Sequence, residues 1–210
     1  MRLSAIRQRT ALLLLTLVTA AACGLSDTPS SAPTSAPPDP NRPPADIHWE
    51  TWQGVRLPFG GKDGPTRVAE AALGYSHTPQ GAALAAIHHT VRISLAPDAT
   101  WSKIAAQTLV PGPGKDEWVL ARARISVTQP ASAELAPRIA AYKFTAYAED
   151  RAQLLVYSIY SDNSIAANSQ TVVWSHDDWR LLLPDPALKS VVVEAVPDIP
   201  ADAVRLPQPD

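Results

Sequence analysis

Residues 74–95, GYSHTPQGAALAAIHHTVRISL, decide how the rest of the chain is read. Thr78 is placed to cap a helix, its hydroxyl accepting from a backbone N–H that the first turn leaves orphaned. Pro79 follows at the first helical position, where a missing N–H costs nothing. Gly81, Ala82, Ala83, Ala85 and Ala86 give a surface with almost no side chain, so another element can approach closely. Leu84, Ile87, Val91 and Leu95 recur at steps of three and four, the stripe a helix turns toward a core. The spacing predicts one central amphipathic helix.

Toward the C-terminus the helical pattern continues and then stops. Trp101, Ile104, Ala105 and Leu109 are spaced for a second helix, which VPGPG at 110–114 ends. Trp118, Leu120, Ala121 and Ile125 suggest a third over 117–127, followed by a linker over 128–137. Strand patterns then take over at 139–147, 153–160, 165–174 and 179–183. Ile139, Ala141, Lys143, Thr145 and Tyr147 fall on one face of the first. Glu149-Asp150-Arg151 and His176-Asp177-Asp178 look like hairpin turns. Helices followed by an antiparallel meander predict an α+β fold, with N-terminal helices packed on one face of a curved antiparallel sheet. SVVVEAV (190–196) is a further β-prone run. A Pro-rich tail over 197–210 is expected along the surface or disordered at its very end.

Toward the N-terminus, order is expected from Asp46, giving a single domain over 46–196. Trp49 and Trp52 stand close together, ahead of Leu57-Pro58 and Gly64-Pro65. Rings so placed pack along a domain flank; docking on a partner is the alternative. Gly24–Ala45 holds seven prolines and no aromatic residue, which predicts a disordered, partly polyproline-II tether. At about 3.1 Å per residue it would reach roughly 60–70 Å.

Residues 1–22 have the form of an export signal. Arg2, Arg7 and Arg9 precede a 12-residue apolar run, Ala11–Ala22, that is short for a membrane span. The chain's single cysteine, Cys23, follows directly, as the lipid-acceptor cysteine of a bacterial lipoprotein does. Ala20 stands where such signals usually carry Leu, and Ala20-x-Ala22 is also an ordinary signal-peptidase site. Both readings predict export. Lipidation at Cys23 is preferred because the only cysteine lies at the cleavage point. It places the protein on the outer face of the cytoplasmic membrane. One cysteine excludes an internal disulfide or a thiolate metal cage. The signal holds three of the 18 basic residues and none of the 20 acidic ones, leaving five net negative charges on the remainder. Such a balance argues against nucleic acid as a partner.

Trp49, Leu57-Pro58, Gly64-Pro65, GYSHTPQGAALAA (74–86) and TVVWSHDDWRLLLP (171–184) together resemble a family of exported actinobacterial proteins of unknown function associated with conjugative elements. The closing hairpin, a strand ending in Trp174 and then Trp179-Arg180-Leu181, also resembles the last hairpin of the nuclear-transport-factor-two-like fold. That resemblance implies a sheet wrapped on helices as a cone, as in accessory domains of conjugation channels and lipid importers. The resemblance covers about Trp49–Pro184 and carries over no catalytic residue.

No arrangement of residues announces a reaction. His88 and His89 are adjacent, so on a helix they point about 100° apart and cannot share an ion unaided. They are expected as one solvated and one hydrogen-bonded side chain, without a metal. No cofactor is implied. The polar strand residues of a cone interior would be Lys143, Thr145, Tyr147, Tyr157, Ser158, Tyr160, Asn168 and Gln170. None forms an evident acid–base pair. Asp177 and Asp178 are expected as solvated turn residues. Tyr142, Tyr147, Tyr157 and Tyr160 place aromatic groups on both sheet faces, one face either open to a partner or covered by the C-terminal segment. Trp49, Trp52, Tyr147 and Tyr157 are the candidate partner-binding surface. The leading expectation is a non-enzymatic, membrane-tethered accessory that binds envelope proteins. The alternative is a small-ligand carrier or enzyme, which requires a pocket of several hundred Å³ between the central helix and the strands. Glycan binding through Trp49, Trp52 and Trp118 is a third reading.

Overall fold

A computed structural model of the protein describes residues 38–208. The expected export signal, Cys23 and most of the expected tether lie outside the described residues. No helix among those described is long and apolar enough to cross a membrane.

The first elements are two small hairpins. β1 (His48–Trp52) pairs with β2 (Val55–Phe59), and β3 (Arg67–Val68) with β4 (Ala72–Leu73). The central helix α1 then runs Pro79–Ser94. Thr78 is extended and its hydroxyl accepts from the Gly81 N–H at 3.1 Å, with Pro79 in the first turn. The environment of α1 departs from the one-sided stripe. Every residue from Pro79 to His89 is buried. The helix is held from two sides: β2 meets His88 and the main sheet meets His89. Backbones can close on it from both because Ala82, Ala83, Ala85 and Ala86 present only methyl groups. Val91 and Leu95, further along, are only half-buried.

α2 (Trp101–Thr108) and α3 (Pro113–Arg122) follow. α3 begins four residues before the expected 117. The VPGPG stretch both stops α2 and starts α3, because Pro113 suits a first turn as well as it disrupts a helix interior.

The sheet is the expected meander: β5 (Arg138–Tyr147), β6 (Arg151–Ile159), β7 (Ile165–Ser175) and β8 (Asp178–Leu181), all antiparallel. His176 and Asp177 turn between the last two with φ of 54° and 56°, the doubly left-handed geometry of a two-residue hairpin. The single-face pattern expected for β5 is corrected. Its register shifts between Ile139 and Ala141, and again between Phe144 and Ala146. Each shift reverses the alternation. Ile139, Tyr142, Phe144 and Tyr147 therefore face the main core, while Ala141 joins Tyr157 in a cluster on the outer face.

Both expected boundaries move outward. β9 (Val193–Val196) returns to pair with β7 at Ile165–Asn168, beside the stretch that β8 occupies. Beyond it β10 (Val204–Arg205) adds a strand to β5. Ile199, Ala203 and Leu206 are buried anchors spaced through the Pro-rich run, so it packs where a uniformly polar tail would not. At the other end, the Gln80 side chain donates to the carbonyls of Asp39 and Arg42, and Ala45 accepts from Gly61 N–H. The described part of the expected tether is thus bonded to α1 and the β2–β3 loop.

Candidate functional site

The closed packing of α1 ends with its alanines. Past His89 the helix carries Thr90, Val91, Ser94 and Leu95, and a cavity of about 450 Å³ opens there. Ile139 of β5, Val156 and Ser158 of β6, and Asn168 and Gln170 of β7 form the opposite wall. The third side is the loop from Ala131 to Pro137. That loop is fixed from outside: Ala131 N–H donates to Gln53 O at 3.1 Å in the β1–β2 turn. The contact requires glycine at the turn. Gly54 has φ +82°, and a Cβ there would lie 2.0 Å from the Ala131 carbonyl oxygen.

The cavity is graded. Its inner end is formed by the buried Ile87, Ile139 and Val156 together with Ser158 and Gln170, each 7% exposed. Its mouth carries the exposed Ser94 and Tyr160, and Leu135 at 71% exposure. No lining side chain is charged at neutral pH. Ser94 is already committed, donating to Thr90 O at 2.8 Å. The Thr90 hydroxyl is buried without a partner. Gln170 and Asn168 lie two apart on β7 and so share a face, opposite Leu154 and Val156. A second hollow, about 490 Å³, opens where β8 and β9 diverge from β7. Its walls mix Lys115, Arg151 and Asp185 with the exposed Leu188 and Val191, so unlike the first it carries charged side chains.

Of the interior polar residues expected from the strands, Ser158, Tyr160, Asn168 and Gln170 are brought together here. The β5 bulges send others elsewhere. Lys143 pairs with Asp202 at 2.7 Å, and Thr145 is exposed. The Tyr157 ring is buried under Ile199 and Ala203, so it is removed from the candidate partner surface: the C-terminal segment covers the outer sheet face at that point. Tyr147 packs edge-on against Phe144. Trp49 donates from Nε1 to Pro207 O at 2.8 Å, and Arg92 lies over the Trp52 ring at 4.8 Å. Both tryptophans lie along the flank. Trp118 is half-buried and meets Trp101 at 6.0 Å. The sequence reading missed Thr90, Val91 and Leu135 as wall residues. The available signal was the break in the alanine run at Thr90.

The histidines differ from the expectation of one solvated ring. Both are fully buried. His88 Nε2 donates to Pro58 O at 2.8 Å and His89 Nε2 to Trp179 O at 2.9 Å. A carbonyl only accepts, so each Nε2 carries a proton, and each Nδ1 is buried with no acceptor for a second one, which favours the neutral Nε2–H form. Burial pushes His88 down to about 3 and His89 to about 4. Asp178 is likewise corrected from a solvated turn residue to a buried one. Its carboxylate accepts from Gly74 N at 2.7 Å, Tyr75 N at 3.1 Å and Trp179 N at 3.0 Å, with Arg67 at 3.8 Å. It therefore ties the entrance of α1 to the last hairpin. His77, at that entrance, stacks on Trp174 with centroids 3.9 Å apart. These groups frame the fold around the cavity without entering it.

No curated protein and no solved structure matches the chain. A family model described as a domain of unknown function, DUF8175, matches residues 17–200, and the chain belongs to that family.

Proposed function

We propose that the domain is a non-catalytic receptor for a small, largely apolar molecule, held outside the cytoplasmic membrane by its N-terminal segment. The observation that carries this is the cavity beside Val91: several hundred Å³, apolar walls, and a few convergent polar side chains. A helix enclosed by a meander sheet also suits a cone of the nuclear-transport-factor-two-like kind, whose interior is the natural place for a ligand. The absence of a charged group among the lining side chains favours binding over acid–base chemistry. The Arg-rich start, the apolar run and Cys23 support export and a lipid anchor.

A second reading, an accessory that binds envelope proteins of a conjugation or secretion apparatus, draws on a different feature. Leu188, Val191, Val192 and Val193 form an exposed apolar run at the β9 edge. Binding of the neutral fluorophore N-phenyl-1-naphthylamine to the full-length chain tests the receptor reading. The expected result is saturable binding that Val91→Trp, which fills the cavity from α1, weakens by about tenfold or more. Binding unchanged by Val91→Trp, or none at all, would overturn it.

A further inference from the structure

We infer that the cavity selects an uncharged ligand, an alcohol or amide on a short apolar body, that enters polar end first, with Gln170 setting that preference. This rests on the reading of the cavity as a binding site.

Three observations lead there. The first is the distribution of polarity. In a simple apolar pocket, polar groups gather at the rim. Here Ser158 and Gln170 sit at the buried end with the unpartnered Thr90 hydroxyl, and Leu135 and Leu95 stand toward the mouth. The buried Thr90 hydroxyl finds no partner, which is costly, so the cavity favours a group that completes its hydrogen bond, with the Gln170 amide and Ser158 hydroxyl beside it.

The second is charge. A carboxylate or ammonium taken to that depth would lose its water and meet no counter-charge on the lining side chains. The Gln170 amide both donates and accepts, and so does the Ser158 hydroxyl. Such a pair complements a hydroxyl or an amide and compensates neither sign of charge.

The third is size. Taking the ~30 Å³ that one water fills in the liquid as the share of each non-hydrogen atom, a cavity of about 450 Å³ holds roughly 15 atoms. An apolar body of eight to ten carbons with one polar group is within that limit, whereas a two-chain lipid is not.

The test is competition against N-phenyl-1-naphthylamine on the full-length chain at pH 7 with four ten-carbon probes: 1-decanol, decanamide, decanoate and decylammonium. Decanol and decanamide should displace the fluorophore at about tenfold lower concentration than either ion. Gln170→Leu keeps the volume of the inner end and removes its hydrogen bonds. It should weaken decanamide about tenfold more than it weakens the fluorophore. Decanoate or decylammonium matching decanol would overturn the neutral-ligand inference while leaving the binding site standing. Equal losses for decanamide and fluorophore in Gln170→Leu, or no loss of decanamide, would remove Gln170 from the role. Failure of the fluorophore to bind would overturn the receptor reading and this inference with it.

Discussion

Lowering the pH from 7 to 5 should cost this fold about 4 kcal/mol of stability through two side chains. His88 and His89 are wholly buried, and their only polar contacts are donations from Nε2 to Pro58 and Trp179 carbonyls. A second proton would go to Nδ1, which faces no acceptor. In the unfolded chain both rings titrate near 6.5; in the fold they do so at about 3 and about 4. Between those values the unfolded chain holds more protons. The stabilisation from keeping the rings neutral is complete above 6.5 and is lost as the pH falls toward the folded values. Each ring contributes about 1.4 kcal/mol per pH unit once well below 6.5, so each loses about 2 kcal/mol by pH 5 and the pair about 4 kcal/mol. Whole-domain stability is commonly about 5–15 kcal/mol, so the effect is large. Urea unfolding followed by tryptophan fluorescence at pH 7, 6 and 5 measures it. The midpoint should fall by more than about 1 M over that range. In a His88→Gln, His89→Gln variant the side-chain amide still donates to each carbonyl, and the slope should vanish. A midpoint that stays level in the native chain, or a slope that survives in the double variant, would refute the assignment of neutral buried rings.

Asp178→Ala should destabilise by about 3–5 kcal/mol in the same urea assay, since three backbone N–H groups and Arg67 lose their shared acceptor. A loss below about 1 kcal/mol would mean water replaces the carboxylate there. Gly81→Ala places a Cβ 2.1 Å from the Ser76 carbonyl oxygen. It should cost about 2 kcal/mol or more, although alanine is the better helix former, and calorimetry would show a lowered Tm. Cys23→Ala should release the protein from the membrane fraction or leave it uncleaved there, visible as a heavier band. Normal processing with unchanged membrane retention would dispose of the lipid anchor.

The parts of the fold legible in the sequence were those fixed by neighbours along the chain. Thr78-Pro79 marks a helix start because cap and first turn are local geometry. The meander from Ile139 to Leu181 shows in its alternation and turn residues for the same reason. What was not legible depends on partners far along the chain. Nothing near His176-Asp177-Asp178 says that the third residue will turn inward to receive the Gly74 and Tyr75 amides, about a hundred positions earlier. Nothing local tells that Ile199 and Ala203 will find the outer face of the sheet and cover Tyr157. The β5 bulges are also silent in sequence. They changed the inner face of the sheet most, because they exchanged Lys143 and Ala141 for Tyr142 and Phe144 there.

The cavity itself sits between these cases. Whether α1 closes on the sheet or leaves room was posed by the sequence as one question about one alanine-rich face. It has two answers along one helix. Over Gly81–Ala86 the side chains are short enough for β2 and the sheet both to reach the backbone, and that half is solid. From Thr90 the helix bears branched and polar residues that hold the sheet off, while Ala131–Pro137, pinned at Gly54, closes the side. A small residue brings walls together, and a larger one props them apart when its neighbours cannot fill the gap. The open half is therefore a consequence of the same rule that seals the first. Enlarging Ala86 should strain the closed half and lower the Tm without altering fluorophore binding, and filling at Val91 should weaken that binding about tenfold or more with little change in Tm.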